Sequence, residues 1–339
     1  MRRLLFVKSR RASFIELDQR LLQERYEVHE IYQPGRFSDP RIVLREVLAA
    51  DVIVGWWASW HTFLPFTLAW LLRKPSLLIV GGFDTAAEPE FGYGFQLGGP
   101  RAWLSRLTMR AARTLMTNSE YSREEIRRNV GIPPDQVRVV YHGIDDPDGA
   151  AGPLTGSVPG PLASGLIGNP ERPIVITVGI VDATNLDRKG IRTFVQAAAE
   201  IPEVDFVVAG MLVGGAGAEL ERIATANVRL TGWLEHDELE SLLRRARVYV
   251  QASRHEGFGV SVAEAMLARC VPVATRAGAL PEVVGDAGIL LDDDSPRAVA
   301  LGVREALHLE LGDAARARVL EHFSVRQRRD GLFALLDEL

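Results

Sequence analysis

A series of short, unbroken apolar runs most constrains what this chain can fold into: Leu4-Leu5-Phe6-Val7, Val52-Ile53-Val54, Leu77-Leu78-Ile79-Val80, Ile174-Val175-Ile176 and Val271-Pro272-Val273. Runs without polar alternation suit strands covered on both faces, and the helix-length stretches between them suit crossovers, so the combination points to parallel sheet. The first half predicts strands over 4–8, 27–32, 52–55, 77–82, 114–118 and 137–141, with helices over 14–25, 41–50, 63–72, 101–113 and 122–129. The second half repeats the pattern, with strands over 174–178, 205–210, 228–231, 248–251, 271–275 and 288–291. Its helices fall at 191–201, 218–226, 236–246, 260–269, 296–309, 314–323 and 325–339, the last capped by Ser324. Between the halves glycine and proline dominate. The expected architecture is α/β: a Rossmann-like domain over 1–150, a Gly/Pro-rich linker over 151–172, a second over 173–323 and a final helix over 324–339. Open sheets of this kind bind ligands beyond the carboxyl ends of their strands, so two of them suggest a central cleft with one reactant on each lip.

Composition sets limits. A chain of 339 residues is long for one core and suits two. A net charge of −5 argues against a nucleic-acid partner, which would call for a basic chain. The single cysteine, Cys270, makes no internal disulfide, which fits a reducing, cytoplasmic compartment and a buried thiol. The start, Met1-Arg2-Arg3 and one short apolar run, lacks the core of a signal peptide. Residues 52–72 carry no acid, lysine or arginine and have the length of a bilayer span. Gly55 and Pro65 divide them, and a strand–helix–strand unit accounts for the pattern.

The chemistry concentrates at 255–266, where Glu256 and Glu264 flank the turn Gly257-Phe258-Gly259 and a helix opens at Val260. The glycines let backbone approach a ligand, and the helix start offers free N–H groups and a positive dipole end to phosphate. Glu256 and Glu264 can each hold hydroxyls. An anion site between two hydroxyl-binding acids describes a sugar nucleotide.

Other stretches join this motif: Arg188-Lys189-Gly190, Val207-Val208-Ala209-Gly210, Gly232-Trp233-Leu234, and the run from Cys270 through Gly278 to Val284. In the first half, Asn118-Ser119-Glu120 and His142-Gly143-Ile144-Asp145 add two more. Together these resemble family 4 glycosyltransferases, the group 1 retaining class of GT-B architecture. The resemblance implies transfer of a hexose-type sugar from a nucleotide diphospho-sugar to a hydroxyl acceptor, a sugar or lipid-linked precursor of a cell-envelope glycan or glycolipid. It gives Glu256 the donor sugar, Glu264 the ribose, and Lys189 the departing diphosphate. The backbone at Gly257, Phe258, Gly259 and Val260 would line sugar and phosphates, and Gly232, Trp233 and Leu234 would back the base. It implies a last helix crossing back to the first domain, and neither cofactor nor metal. Where the family places an arginine after the first strand of this half, Ile180 stands, and Arg188 is the candidate replacement. The family's glycine-pair loop after the first strand is replaced by Lys8-Ser9-Arg10-Arg11, a basic loop able to meet phosphate or an acidic acceptor. In place of the usual first-domain histidine stands Gly81-Gly82-Phe83-Asp84, which makes Asp84 the acceptor-side catalytic candidate.

Several features read two ways. Asp292-Asp293-Asp294 could bind metal, but it directly precedes Ser295-Pro296 and suits a helix start. His255 reads as structural, and His61 and His142 as cleft residues. The helix over 101–113, with Trp103, Leu104 and Leu107 among arginines, either lies against an anionic membrane at the inner face or presents a solvated face with snorkelling arginines. Two other functions fit the same fold, a sugar-nucleotide epimerase and a non-catalytic sugar-nucleotide-binding relative.

Overall fold

The computed structural model describes residues 2–35, 39–146 and 172–339. The linker expected over 151–172 lies outside the described residues up to 171. The chain divides into two compact units, one of Met1–Gly143 with Phe323–Leu339, the other of Ile144–His322.

The first unit is built on a parallel sheet of six strands: β1 (Arg2–Lys8), β2 (Tyr26–Tyr32), β3 (Val52–Trp56), β4 (Ser76–Val80), β5 (Thr114–Thr117) and β6 (Val137–Val139). Their spatial order is β2-β1-β3-β4-β5-β6. Side chains alternate across a strand, so each run feeds two cores. Leu5, Val7, Ile53, Leu78 and Val80 pack with Val43, Val47, Phe66, Met109 and Ile126 from helices on one face. Leu4, Phe6, Val52, Val54, Leu77 and Ile79 pack on the other with Ile15 and Leu22, and with Leu332, Leu335 and Leu336 of the helix Val325–Asp337. The last helix of the chain therefore covers part of the first unit's sheet.

One buried ion pair fastens that helix. The Arg328 guanidinium donates to both Asp18 carboxylate oxygens at 2.8 and 2.7 Å, and each side chain is 1% exposed. Arg328 also donates to the Val140 carbonyl at 2.6 Å and to Asn118 Oδ1 at 3.1 Å, while the Trp56 indole donates to Asp18 at 3.0 Å. Geometry this complete is what keeps a buried pair from being a net cost.

The second unit holds β7 (Ile174–Val178), β8 (Asp205–Ala209), β9 (Val228–Gly232), β10 (Val248–Gln251), β11 (Val271–Thr275) and β12 (Ile289–Leu291). The order is β12-β11-β10-β7-β8-β9, again all parallel. The chain steps outward from β7 through β9, then returns to pair β10 on the other side of β7. That reversal, between β7 and β10, opens a crevice at their carboxyl ends. In the first unit the same reversal falls between β1 and β3.

The differences from sequence expectation are local. The helix expected over 191–201 ends at Ala197 and continues as a 3₁₀ turn, Ala198–Glu200. The short helices Ala183–Arg188 and Leu280–Val284 were not anticipated, since one or two turns are too short to show a period. Residues 52–72 form β3 and the helix Trp60–Leu71 with Pro65 inside it, and among the described residues no helix is long and apolar enough to cross a membrane. The helix Gly99–Ala111 turns Leu104 into the core and leaves Trp103 62% exposed, so its apolar residues do not share one face.

Removing one partner of a buried pair strands the other's charge. Arg328→Ala is expected to destabilise the first unit by about 3–5 kcal/mol, measured by urea unfolding followed through tryptophan fluorescence. A loss below about 1 kcal/mol would mean that the pair behaves as an exposed one.

Candidate active site

The structure brings two loops together at the β7–β10 crevice. After β7 the chain forms the helix Ala183–Arg188, whose first turn is capped by Asp182 accepting from the Asn185 N–H at 2.8 Å. Lys189 ends this helix, and Gly190 turns the chain into the next helix, Ile191–Ala197. After β10 comes the glutamate-glycine motif. The two are stitched at successive residues. The Arg254 N–H donates to the Arg188 carbonyl at 2.8 Å, the Arg188 guanidinium to the His255 carbonyl at 3.2 Å, and the Lys189 ammonium to Glu256 Oε2 at 2.6 Å. Arg188 is 6% exposed and also donates to Asn185 Oδ1 at 2.5 Å.

The Lys189–Glu256 pair is partly buried, at 23% and 14% side-chain exposure. Burial alone would raise the Glu256 carboxyl. The Lys189 charge and hydrogen bond, with Arg188 behind them, outweigh burial and hold it below the ordinary carboxylate range. Glu256 is therefore held as a carboxylate, facing the Lys189 side chain across the crevice.

Gly278 sets the position of the glutamate from behind. It has φ +61°, and a Cβ there would sit 2.0 Å from the Glu256 carbonyl oxygen. That carbonyl accepts from the Ala279 N–H at 2.9 Å. Only glycine allows this approach. The signal stands in the sequence as one glycine between Ala277 and Ala279, but without the fold nothing tells which backbone it meets. Asn185 and Asp182 were missed in the same way, because a helix of six residues gives them no visible context.

Gly259, with φ +103°, is the N-cap of the helix Val260–Leu267, and the side chain of Phe258 is buried in the core. Any ligand at the turn therefore meets backbone at Gly257, Phe258 and Gly259 rather than the Phe258 ring. Below them the buried Tyr249 hydroxyl donates to Gln251 Oε1 at 2.8 Å, and the Gln251 amide donates to Ser253 at 2.6 Å. The phenol lies close enough to Glu256 and Glu264 to feel both charges, and burial with those charges raises its pKa. Burial pushes the Glu264 carboxyl up to about 7, with His236 drawing it part of the way back. Gly232 ends β9, where its carbonyl accepts from the Gly210 N–H at 3.0 Å; Leu234 is buried and Trp233 is 66% exposed, its indole donating to Glu235 at 3.0 Å.

The other candidates are placed differently. Asp84 is 1% exposed, and its two oxygens accept from the Ala58 and Gly81 N–H groups at 2.8 and 2.9 Å. It braces the loop after β3 against the loop after β4, and both oxygens of this acceptor-side candidate accept from main-chain N–H groups. Burial raises its pKa to about 7. His61 is buried against the Trp56 carbonyl at 2.8 Å with its pKa lowered to about 4 by burial, and His142 is buried in a stack on the Trp56 ring. Lys8 is 1% exposed and ion-paired to Glu16 and Glu30, at 2.7 and 3.2 Å. Among the three aspartates, Asp292 pairs with Arg276, Asp294 with Arg254, and Asp293 accepts from Ser295, the cap of Pro296–His308.

The family descriptions match in two blocks. Glycosyltransferase Family 4 covers residues 16–147, and Glycosyl transferases group 1 covers 172–308. The chain belongs to the family 4, group 1 glycosyltransferases. It is 29% identical over 334 residues to alpha-maltose-1-phosphate synthase of Mycobacterium tuberculosis, covering 87% of this chain and 83% of that protein. It is 28% identical over 240 residues to alpha-D-kanosaminyltransferase of Streptomyces kanamyceticus, covering 66% and 58%. Sucrose-phosphate synthase from Thermosynechococcus elongatus superposes with a TM-score of 0.72 at 18% identity, covering 100% of this chain and 99% of that one. Anabaena Alr3699/HepE in complex with UDP and glucose gives 0.72 at 17%, covering 100% of both. The two doubly wound sheets are those of the GT-B fold.

A carboxyl raised to about 7 destabilises the fold increasingly as pH climbs from the ordinary carboxylate range through 7, because the native state must then bury a charge that the unfolded chain carries freely. Glu264→Gln removes that cost. Its stability gain over the parent is expected to be under about 1 kcal/mol at pH 5 and to reach about 2–3 kcal/mol by pH 8, read from denaturant melts across that range. A gain that does not change with pH would contradict the buried, partly protonated carboxyl.

Proposed function

We propose that this glycosyltransferase moves a hexose-type sugar from a nucleotide diphospho-sugar to an acceptor hydroxyl with retention at the anomeric carbon. The observation that carries this is the Lys189–Glu256 pair at the β7–β10 crevice, beside the Gly257–Gly259 turn and a helix start. The arrangement supplies a fixed cation, a hydroxyl acceptor and the N–H end of the helix Val260–Leu267, which are the contacts a diphospho-sugar needs. A solved structure of like fold, Anabaena Alr3699/HepE in complex with UDP-glucose, supports the donor class.

In the resting site Lys189 neutralises Glu256. On donor binding the ammonium turns to the diphosphate, and the freed Glu256 carboxylate accepts hydrogen bonds from sugar hydroxyls. Glu264 takes the ribose hydroxyls, and the loop Gly232, Trp233 and Leu234 backs the base. During transfer the anomeric carbon passes through an oxocarbenium-like state. Its bond to the diphosphate oxygen breaks, its bond to the acceptor oxygen forms, and the acceptor proton goes to the leaving diphosphate. Lys189 and the helix start stabilise the developing charge directly; Arg188, committed to His255 and Asn185, holds the loop after β7 against the loop after β10 and adds its field. Glu256 orients the sugar and forms no covalent intermediate. These fixed groups take the place of a metal ion, so transfer is expected to persist in excess EDTA. Asp84 acts by holding the loops after β3 and β4, not by touching substrate.

Lys189→Ala and Glu256→Ala are each expected to lower kcat for transfer by roughly 100- to 1000-fold while circular dichroism stays that of the parent. Release of free nucleoside diphosphate only when an acceptor is present supports transfer; an altered but intact donor would establish a different reaction. Undiminished transfer by either variant would remove that residue from the mechanism.

A further inference from the structure

The β1–β3 reversal of the first unit is the equivalent of the crevice just described, and its loops carry a different chemistry. β1 and β3 pair in register, Val7 opposite Gly55, so the residues after Lys8 and after Trp56 emerge side by side. Trp57, the first residue beyond β3, has φ +63°. A bulky side chain in the left-handed region costs about 1–3 kcal/mol and persists only where its surroundings enforce it. Here they do. The Trp57 N–H donates to the Ile79 carbonyl at 2.8 Å, its carbonyl accepts from the Thr62 hydroxyl at 2.6 Å, and the next N–H, of Ala58, is held by Asp84. The strained turn sets the Trp57 ring, half-buried, against Phe14 at 6.2 Å and Trp56 at 5.8 Å between centroids. The result is an aromatic floor at the carboxyl end of the sheet.

The charges around it are unbalanced. The Arg10 guanidinium lies 5.8 Å from the Trp57 ring centre, and Arg11 lies 5.4 Å from that of Tyr32. Both arginines are exposed, and neither forms an ion pair among the described residues. The neighbouring charges are already matched: Lys8 by Glu16 and Glu30, Arg328 by Asp18. His61 and His142 are buried and neutral near pH 7, and Asp84 is spent on two backbone amides. Two arginines without an ion pair among the described residues therefore lie over aromatic rings at the ends of neighbouring strands, Arg10 over Trp57 and Arg11 over Tyr32. Aromatic faces bind the apolar face of a sugar ring, and arginine forks bind phosphate or carboxylate.

We infer that Trp57, Arg10 and Arg11 form an acceptor subsite for an anionic sugar, one carrying phosphate or carboxylate, with the ring on Trp57 and the charged group under the two arginines. The inference rests on the glycosyl-transfer reading for the word acceptor, but not for the binding itself. The anion can arrive as a free sugar phosphate or as a phosphate-bearing lipid head group.

Binding is measured by calorimetry on the full chain without donor, using glucose, glucose 1-phosphate, glucose 6-phosphate and glucuronate. At low salt the best charged sugar is expected to bind roughly 10- to 100-fold more tightly than glucose, with a preference that shrinks as salt rises. Arg10→Gln with Arg11→Gln should abolish the preference, and Trp57→Gly, which relieves the strained backbone, should weaken all four sugars. Sedimentation with phosphatidylglycerol vesicles, against phosphatidylcholine, forms the second arm. Loss of phosphatidylglycerol binding in the double variant, without sugar-phosphate binding by the parent, would assign the anion to a lipid head group. Equal affinity for charged and neutral sugars together with equal binding to both vesicle types, or a double variant that keeps every preference, overturns the subsite. Thermal shift by UDP, ADP and GDP is run on the same proteins. Failure of all three nucleotides to shift the parent counts against the donor reading alone, while an unchanged shift in the double variant places its defect away from the donor.

Discussion

Lys189 reaches Glu256, 67 residues further along, because β7 and β10 are neighbours and run the same way. Parallel alignment sends every strand-to-helix loop out at the carboxyl ends, and the reversal of strand order leaves one pair of loops diverging above adjacent strands. The loop that follows β7 and the loop that follows β10 are that pair. A main-chain bond from the Arg254 N–H to the Arg188 carbonyl and a bond from the Arg188 guanidinium to the His255 carbonyl join them independently of Lys189 and Glu256. The ion pair completes a geometry that the topology has already imposed.

The two crevices use the same topology toward opposite electrostatic ends. In the second unit a lysine and a glutamate face each other at 2.6 Å, and the lysine holds the buried glutamate as a carboxylate. In the first, burial strips charge from His61 and His142, and Lys8 is neutralised by two acids. What remains is arginine over aromatic rings. A crevice whose charges are paired internally suits a ligand that brings both hydroxyls and phosphate. One with surplus cations suits a ligand that brings its own negative charge.

Much of the architecture was legible in the sequence, because fully buried parallel strands leave runs such as Leu77-Leu78-Ile79-Val80 that few other structures require. The glutamate-glycine motif was legible for a related reason: glycines, acids and a helix start fall within one continuous stretch. Asp84 shows where such inference stops. Its place after Gly81-Gly82 made it a catalytic candidate, but whether a carboxylate is open to a ligand or taken up by two amides depends in part on Ala58, an element away in sequence. Gly278 and Asn185 were hidden for the same reason, since each acts through a backbone or side chain that only the tertiary fold brings near.

The first unit is discontinuous: its sheet comes from the opening residues, and part of one sheet face is covered by Val325–Asp337. Asp18 and Arg328 stand 310 positions apart. During synthesis the strands of that sheet leave the ribosome long before the helix that shields Leu4, Phe6 and Val54 has been made, while the second unit emerges whole in between. The order of translation is thus the reverse of the order of completion. For most of its time on the ribosome the nascent chain carries an apolar sheet face only partly covered, and an aspartate whose counter-ion has yet to be translated.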